Sequence, residues 1–344
     1  MNFPGKTLSH TPSAAQPAAI SSAPNGSGNT PLTPFSLVLA TLAVVLWGGN
    51  AVANRYAIDQ LPPVFVGGLR FALGSLFMVG WCWVEGCPLW MYRGRDWWRA
   101  TVLGFLLFVQ IGTFSYGLMY SNSSHASLLV NSYIFWVALY EQFVQRTIQL
   151  NGRQIAGLVL AGIGSNLLLL ESGAGTASGR DQVTLYGDLI LAFSGFSLAI
   201  KIIYTKESVR DVEPGTMILW HDVIGTTFFF LWSGAFETIP SAKLTWPTIW
   251  GMLYVGLLVS GFCFGANAWL LRRHGASQVS VFSFATPVCG VILGIIFRGD
   301  QLSIWLLLAG IGVVTGIVMV NAAPPTPPPP QSRGENPSAH VEET

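Results

Sequence analysis

The chain has 344 residues, of which 51% are hydrophobic and only 10% charged, and its formal net charge is +1. An ordinary soluble domain carries about 25% charged residues, so the composition argues against a soluble protein and points to the lipid bilayer as solvent. A charge so near zero also offers no basic surface, and no nucleic-acid partner is expected.

Residues 1–34 are rich in Ser, Pro, Ala, Asn and Gly and lack the apolar core of a signal peptide, so a disordered tail is expected there. Stretches able to cross a hydrocarbon core of about 30 Å then recur at 35–54, 64–84, 100–120, 124–144, 154–171, 185–204, 215–236, 247–270, 276–297 and 303–322. Residues 324–344, beginning PPTPPPPQSRGENP, form a second disordered tail, rich in proline. Backbone polar groups in lipid must be satisfied within the segment, and the runs lack the period-2 alternation of barrel strands. The expected fold is therefore an all-α membrane protein with ten transmembrane helices.

Lys and Arg set the orientation. The side of the N-terminus holds Lys6, Arg93, Arg95, Arg99, Arg146, Arg153, Lys206, Arg210, Arg272, Arg273 and Arg333; the other side holds Arg55, Arg180, Lys243 and Arg298. Both termini are expected in the cytoplasm, with the protein multi-pass in an inner or plasma membrane. Cys82, Cys87, Cys263 and Cys289 form no CxxC pair or metal-ligand spacing, and neither metal nor cofactor is expected. The histidines show no HExxH spacing and no GxxxxGK[ST] loop occurs, so the sequence reads as neither an enzyme nor a nucleotide-driven pump.

The chain also repeats itself. QLPPVFVGGLRFALGSLF (60–77) overlies DVEPGTMILWHDVIGTTF (211–228) at a shift of 151, and AGIG occurs at 161–164 and again at 309–312. The shift predicts five-helix units at 35–171 and 185–323. Because five is odd, the second unit enters the membrane in the opposite sense, which gives two inverted repeats. Inverted repeats are a transporter device that places a site near the midplane and lets the halves open alternately.

The stretch LWGGNAVANRYAIDQLPPVFVGGLRF (46–71) carries Trp47, a small pair, Asn50, Leu61-Pro62-Pro63 and Arg70 followed by an aromatic. It resembles the first-helix pattern of the EamA-type families of the drug/metabolite transporter superfamily. ASQVSVFSFATPVCGVILG (276–294) resembles the family's helix 9, with its central proline at Pro287, and GDQL (299–302) follows where Gly-Glu is usual. Three features depart from the pattern: no proline stands near Phe135, no acid near Ile148, and Phe196 replaces a tryptophan. The resemblance implies a secondary transporter of a small organic metabolite, an amino acid or related compound, moved outward.

Polar groups inside apolar spans mark the candidate site. Arg70 falls about 10 Å into helix 2, where two roles fit it: fastening helix 2 near a gate, or meeting a substrate carboxylate. The repeat places His221 opposite Arg70, with Asp222 beside it, a pair suited to proton coupling. Lys201 lies within snorkelling reach of the interface, but its repeat partner is Asn50, which makes a cavity-facing position the alternative. Asn131, Phe135, Ala138 and Gln142 form one helical stripe, and Gln110, Thr113 and Gly117 another; they sketch a cavity wall, with interhelical hydrogen bonding the alternative for each polar group. Asn267 adds an amide on helix 8. Gly312 and Gly316 form GxxxG on helix 10 and match Gly157 and Ala161 on helix 5, expected as a packing contact and a homodimer face.

Overall fold

The computed structural model describes residues 33–145, 151–173, 183–209, 211–241, 243–273, 282 and 285–321. The expectations for 1–32, 322–344, the loop acid near Ile148 and the first turns of the ninth span lie outside those residues. Among the described residues all regular structure is helical: α1, Pro34–Ile58; α2, Pro63–Glu85; α3, Gly94–Met119; α4, in pieces Ser123–Val130, Tyr133–Tyr140 and Glu141–Gln145; and α5, Gly152–Gly173. There follow α6, Leu185–Ser208; α7, Pro214–Phe236; α8, in consecutive pieces Trp246–Leu253, Tyr254–Cys263 and Phe264–Arg273; α9, Ala285–Arg298; and α10, Ile304–Asn321.

Among the described residues six helices are long and apolar enough to cross a membrane, namely α1, α2, α3, α5, α6 and Trp246–Asn267 of α8, while α9 and Ile304–Met319 of α10 are shorter apolar helices. Leu76, Val79, Ile163, Leu170 and Leu231 stand exposed on the outside of the bundle, an apolar surface that hydrocarbon, not water, covers at little cost.

Proline supplies the first helical position of α1, α2 and α7, where a missing N–H leaves nothing unsatisfied. Side chains cap other starts: Thr184 Oγ1 accepts from Gly187 N at 3.1 Å and Asn122 Oδ1 from His125 N at 2.8 Å. At α2 the cap arrives from across the chain, since the Glu237 carboxylate accepts from Val64 N at 3.0 Å and Phe65 N at 2.9 Å. Glu237→Ala should therefore destabilise the protein by about 1 kcal/mol, read as a lower thermal midpoint in detergent, with Glu237→Gln losing less because one acceptor remains.

α2 and α7 run antiparallel. The start of α2 meets Glu237 at the end of α7, and Cys87, just past the end of α2, meets Glu213 before α7, with Sγ to Oε1 at 3.8 Å. Both helices have 23 residues, begin at proline and lie 151 positions apart. Phe71 and Phe229 stack between them with ring centroids 6.0 Å apart. α3 approaches α7 backbone to backbone: a Cβ on Gly104 would lie 2.9 Å from Gly225 N and 3.1 Å from His221 O. α5 and α10 join through their small residues, with Gly312 against Gly164 Cα at 3.2 Å and Gly316 against Gly157 O and Ala161. The Gly312–Gly316 pair on α10 and its match on α5 thus pack on each other.

The end of the bundle where α1 begins is called proximal here and the other distal. Proximally, Arg99 Nη1 and Arg95 Nη2 reach Asp211 Oδ2 at 2.8 and 3.1 Å, and the Arg99 hydrogen bond holds the Asp211 carboxyl below the ordinary carboxylate range. Distally, Arg298 Nη1 pairs with Asp59 Oδ2 at 2.8 Å, and Gln60 Oε1 accepts from Thr245 N at 2.8 Å.

Two helices differ from the uniform spans read in the sequence. α1 bends at Gly49, against which Tyr254 packs; the Tyr254 hydroxyl donates to Leu46 O at 2.9 Å. α4 breaks at Asn131–Ser132, where Ser132 N and Phe135 N bond three residues back, to Leu129 O at 3.1 Å and Ser132 O at 3.0 Å. Asn131 Nδ2 donates to Ser127 O at 2.6 Å, one turn earlier. At this break, where no proline stands, the Asn131 amide competes with the helix backbone.

Candidate functional site

The charged side chains singled out in the spans converge. Arg70 on α2, Lys201 on α6 and Asp222 on α7 are 2%, 5% and 0% exposed, so all three charges lie inside the protein. Asp222 lies within electrostatic reach of both cations. Arg70 Nε donates to Ser260 Oγ at 2.9 Å, and its guanidinium carbon stands 4.9 Å from the Phe71 ring centroid, a cation–π arrangement. Ser260 sits in the wide π-helical stretch Tyr254–Cys263 of α8, a geometry that is rare and frequent at functional sites.

Lys201 does not snorkel. Its Nζ turns inward, 3.5 Å from Gln110 Oε1 on α3 and 5.9 Å from the Phe264 ring centroid. Trp47 of α1 meets the same Phe264 edge-on at 6.0 Å. Lys201 is buried inside the bundle and not at the interface, because two turns of α6 bring it and Ser194 onto the face that α3 covers. Gln110 is buried on that face: Ser194 Oγ donates to Gln110 O at 2.8 Å, and Gln110 Nε2 lies 3.4 Å from Ser194 Oγ.

His221 Nδ1 lies 2.6 Å from Ile218 O and 3.4 Å from Asp222 Oδ1. Neither Asp222 oxygen, nor Arg70 Nη1, has a hydrogen-bond partner among the described residues. Two cations against one carboxylate leave a formal excess of one positive charge in a setting where charges are expensive. Such a cluster is complementary to an anionic group.

The other expected site residues are placed differently. Asn131 and Phe135 line a lateral recess of about 470 Å³ between α4, α5, α6 and α10, together with Trp136, Phe196 and Asn166. The recess is apolar and its lining contains none of the three central charges. Ala138 and Gln142 are not in that lining. The stripe on α3 is a packing face rather than a cavity wall: Gly117 fits against Gly187 O and Leu191, and Thr113 Oγ1 bonds its own helix at Val109 O.

Asn50, half-buried past the α1 bend, has a buried Oδ1 with no partner among the described residues. Asn267 is half-buried on α8, one turn beyond Phe264. Pro287 is buried on α9. Ser194, Ser260 and Phe264 were not singled out in the sequence. Ser194 carried a signal, seven residues before Lys201 on the same helical face; the two others had none.

Comparison with known proteins agrees with this arrangement. The model of the EamA-like transporter family matches residues 34–170 and again 185–322. The chain is 27% identical over 286 residues to the "Uncharacterized transporter YoaV" of Bacillus subtilis, covering 82% of this chain and 96% of that protein. It is 25% identical over 292 residues to the "Probable amino-acid metabolite efflux pump" of Escherichia coli, covering 81% and 92%. One crystal structure superposes with a TM-score of 0.61 at 17% identity over 83% of this chain and 96% of that one, a likeness of fold. Apolar helices long enough to span a bilayer, a charged cluster buried among them and a family match to both halves converge on one conclusion: this chain belongs to the EamA-like transporter family.

Proposed function

We propose that this protein is a secondary active exporter of a small, carboxylate-bearing metabolite, an amino acid or a related compound. It works by alternating access between two inverted five-helix repeats. In this reading ten helices span an inner or plasma membrane with both termini cytoplasmic. The antiparallel pairing of α2 with its repeat counterpart α7 supports the inversion.

The observation that carries the substrate reading is the excess positive charge of Arg70 and Lys201 over Asp222. A substrate carboxylate balances that excess, and the substrate's ammonium group, where it has one, is drawn to Asp222. Proton coupling enters at the same place, since a proton on Asp222 or His221 and an ammonium on the substrate compete for one charge. The name of the Escherichia coli relative points to the same substrate class.

The test is untargeted metabolite profiling, inside and outside cells expressing wild type or Asp222→Asn, with and without the proton gradient collapsed. The reading expects a carboxylate-bearing compound to accumulate outside with wild type alone, and less of it after collapse. It fails if the displaced compounds lack a carboxylate, or if none moves at equal membrane levels of the two proteins.

A further inference from the structure

A second buried ionisable cluster lies at the distal end and takes no part in the central site. His125, in the first turn of α4, is 2% exposed, Asp188 in the first turn of α6 is 0% exposed and Glu171 at the end of α5 is 2% exposed. His125 Nδ1 lies 2.8 Å from Asp188 Oδ2, and Nε2 lies 3.5 Å from Glu171 Oε2. Ser121 Oγ donates to the other Asp188 oxygen at 2.5 Å, and the Ser303 hydroxyl, just before α10, is a further neighbour of Glu171.

We propose that His125, Asp188 and Glu171 form a proton-binding latch that holds the distal ends of α4, α5 and α6 together when occupied and releases them when empty.

The argument is one of donors and acceptors. A neutral imidazole carries one N–H and one lone pair, whereas an imidazolium carries two N–H groups. Here both ring nitrogens face carboxylates, which only accept when ionised. The arrangement is satisfied when one proton more than the neutral-histidine count resides in the cluster. Removing it turns an imidazole lone pair toward a carboxylate and leaves the ring with one N–H to share between two buried anions. The longer contact, to Glu171, is the one expected to part.

The ring has no easy alternative position. Asn122 Oδ1 accepts from His125 N, and Asp300 Oδ2 accepts from Ser124 N at 2.8 Å and Ser124 Oγ at 2.6 Å, so the first turn of α4 is tied from both sides. Among the described residues, Arg55 is engaged on Leu118 O and Asp59, and Arg298 on Asp59. The charges acting on His125 are those of Asp188 and Glu171.

The latch also joins the two halves of the chain. His125 and Glu171 belong to the first half, Asp188 and Ser303 to the second. A proton taken up here therefore biases whether the distal ends of the two halves stay in contact. This inference does not rest on the transport reading, and its test reads the latch without any substrate.

The experiment is hydrogen–deuterium exchange of the full chain in nanodiscs of phosphatidylethanolamine and phosphatidylglycerol. It spans pH 5.5 to 8.5, with rates corrected for intrinsic exchange. Wild type should keep residues 121–130 and 185–192 protected at acid pH. Above the ordinary imidazole pKa of about 6.5, which the released histidine would have, that protection should fall by about tenfold per pH unit, the slope of one proton, while residues 94–104 at the proximal end stay unchanged. His125→Gln should remove the step and His221→Gln should retain it. Glu171→Gln, which removes the repulsion but leaves the Asp188 contact, should also remove it, and this variant decides the matter if His125→Gln does not fold. A wild type without a step, or a step that survives both His125→Gln and Glu171→Gln, overturns the proposal.

Discussion

Replacing Arg70 with alanine is expected to leave the chain in the membrane and to abolish transport. The guanidinium is not required to cover the surface of α2, since Arg70 is 2% exposed and its contacts, Ser260 and Phe71, are internal. Its loss removes the balancing excess of positive charge and leaves Asp222 with Lys201 alone. Breaking a buried ion pair typically costs about 3–5 kcal/mol when the partner is left uncompensated. Here the cost should be smaller, because Lys201 remains near Asp222.

Arg70→Lys keeps the charge and loses the fixed fork that reaches Ser260, so partial activity is expected. The double variant Arg70→Ala/Asp222→Asn should recover whatever stability the single change loses, and still not transport. Export of the compound found by profiling, normalised to the amount of protein in the membrane, measures all three. Normal export by Arg70→Ala would sink the assignment of this residue to the site.

Gly104→Val should cost folding stability directly, through packing and not through charge. A Cβ at Gly104 meets backbone atoms of α7, Gly225 N and His221 O, and neither can turn aside as a side chain can. Overpacking of this kind typically costs about 1–3 kcal/mol and sometimes more. It pushes α3 and α7 apart at the residues that carry His221 and Asp222. The expected result is a sharply reduced monodisperse yield from membranes and a lower thermal midpoint. Gly112→Val on the same helix is the control, since a Cβ there meets nothing within 4 Å. Equal behaviour of the two variants would show that the close approach of α3 and α7 is not needed for folding.

Much of the site was legible in the sequence, because a charge inside an apolar span is conspicuous on its own. Arg70, Lys201, His221 and Asp222 were identifiable on that ground, and the repeat paired Arg70 with His221. What each of them touches was not legible. Arg70 bonds Ser260, 190 positions away, and Lys201 reaches Gln110, 91 positions away. Helical periodicity assigns a residue to a face but not to the helix that covers it. That limit shows in the two stripes. The stripe on α3 turns toward α6, and on α4 Asn131 and Phe135 line the lateral recess while Ala138 and Gln142 do not. His125 was overlooked because one histidine among small polar residues has no local signature; its meaning comes from Glu171 and Asp188 on two other helices.

The sequence by itself determined the solvent, the helical class and the family, because composition, run length and motif spacing are local or strictly periodic quantities. Only the tertiary structure decided that Lys201 points inward rather than to the interface, that α4 breaks without a proline, and that one histidine stands between two buried carboxylates. Each of these depends on how helices far apart in the chain rotate against one another. That rotation is settled by close packing at contacts such as Gly104 on Gly225 and Gly316 on Gly157, where interiors accommodate changes of even one methyl group poorly.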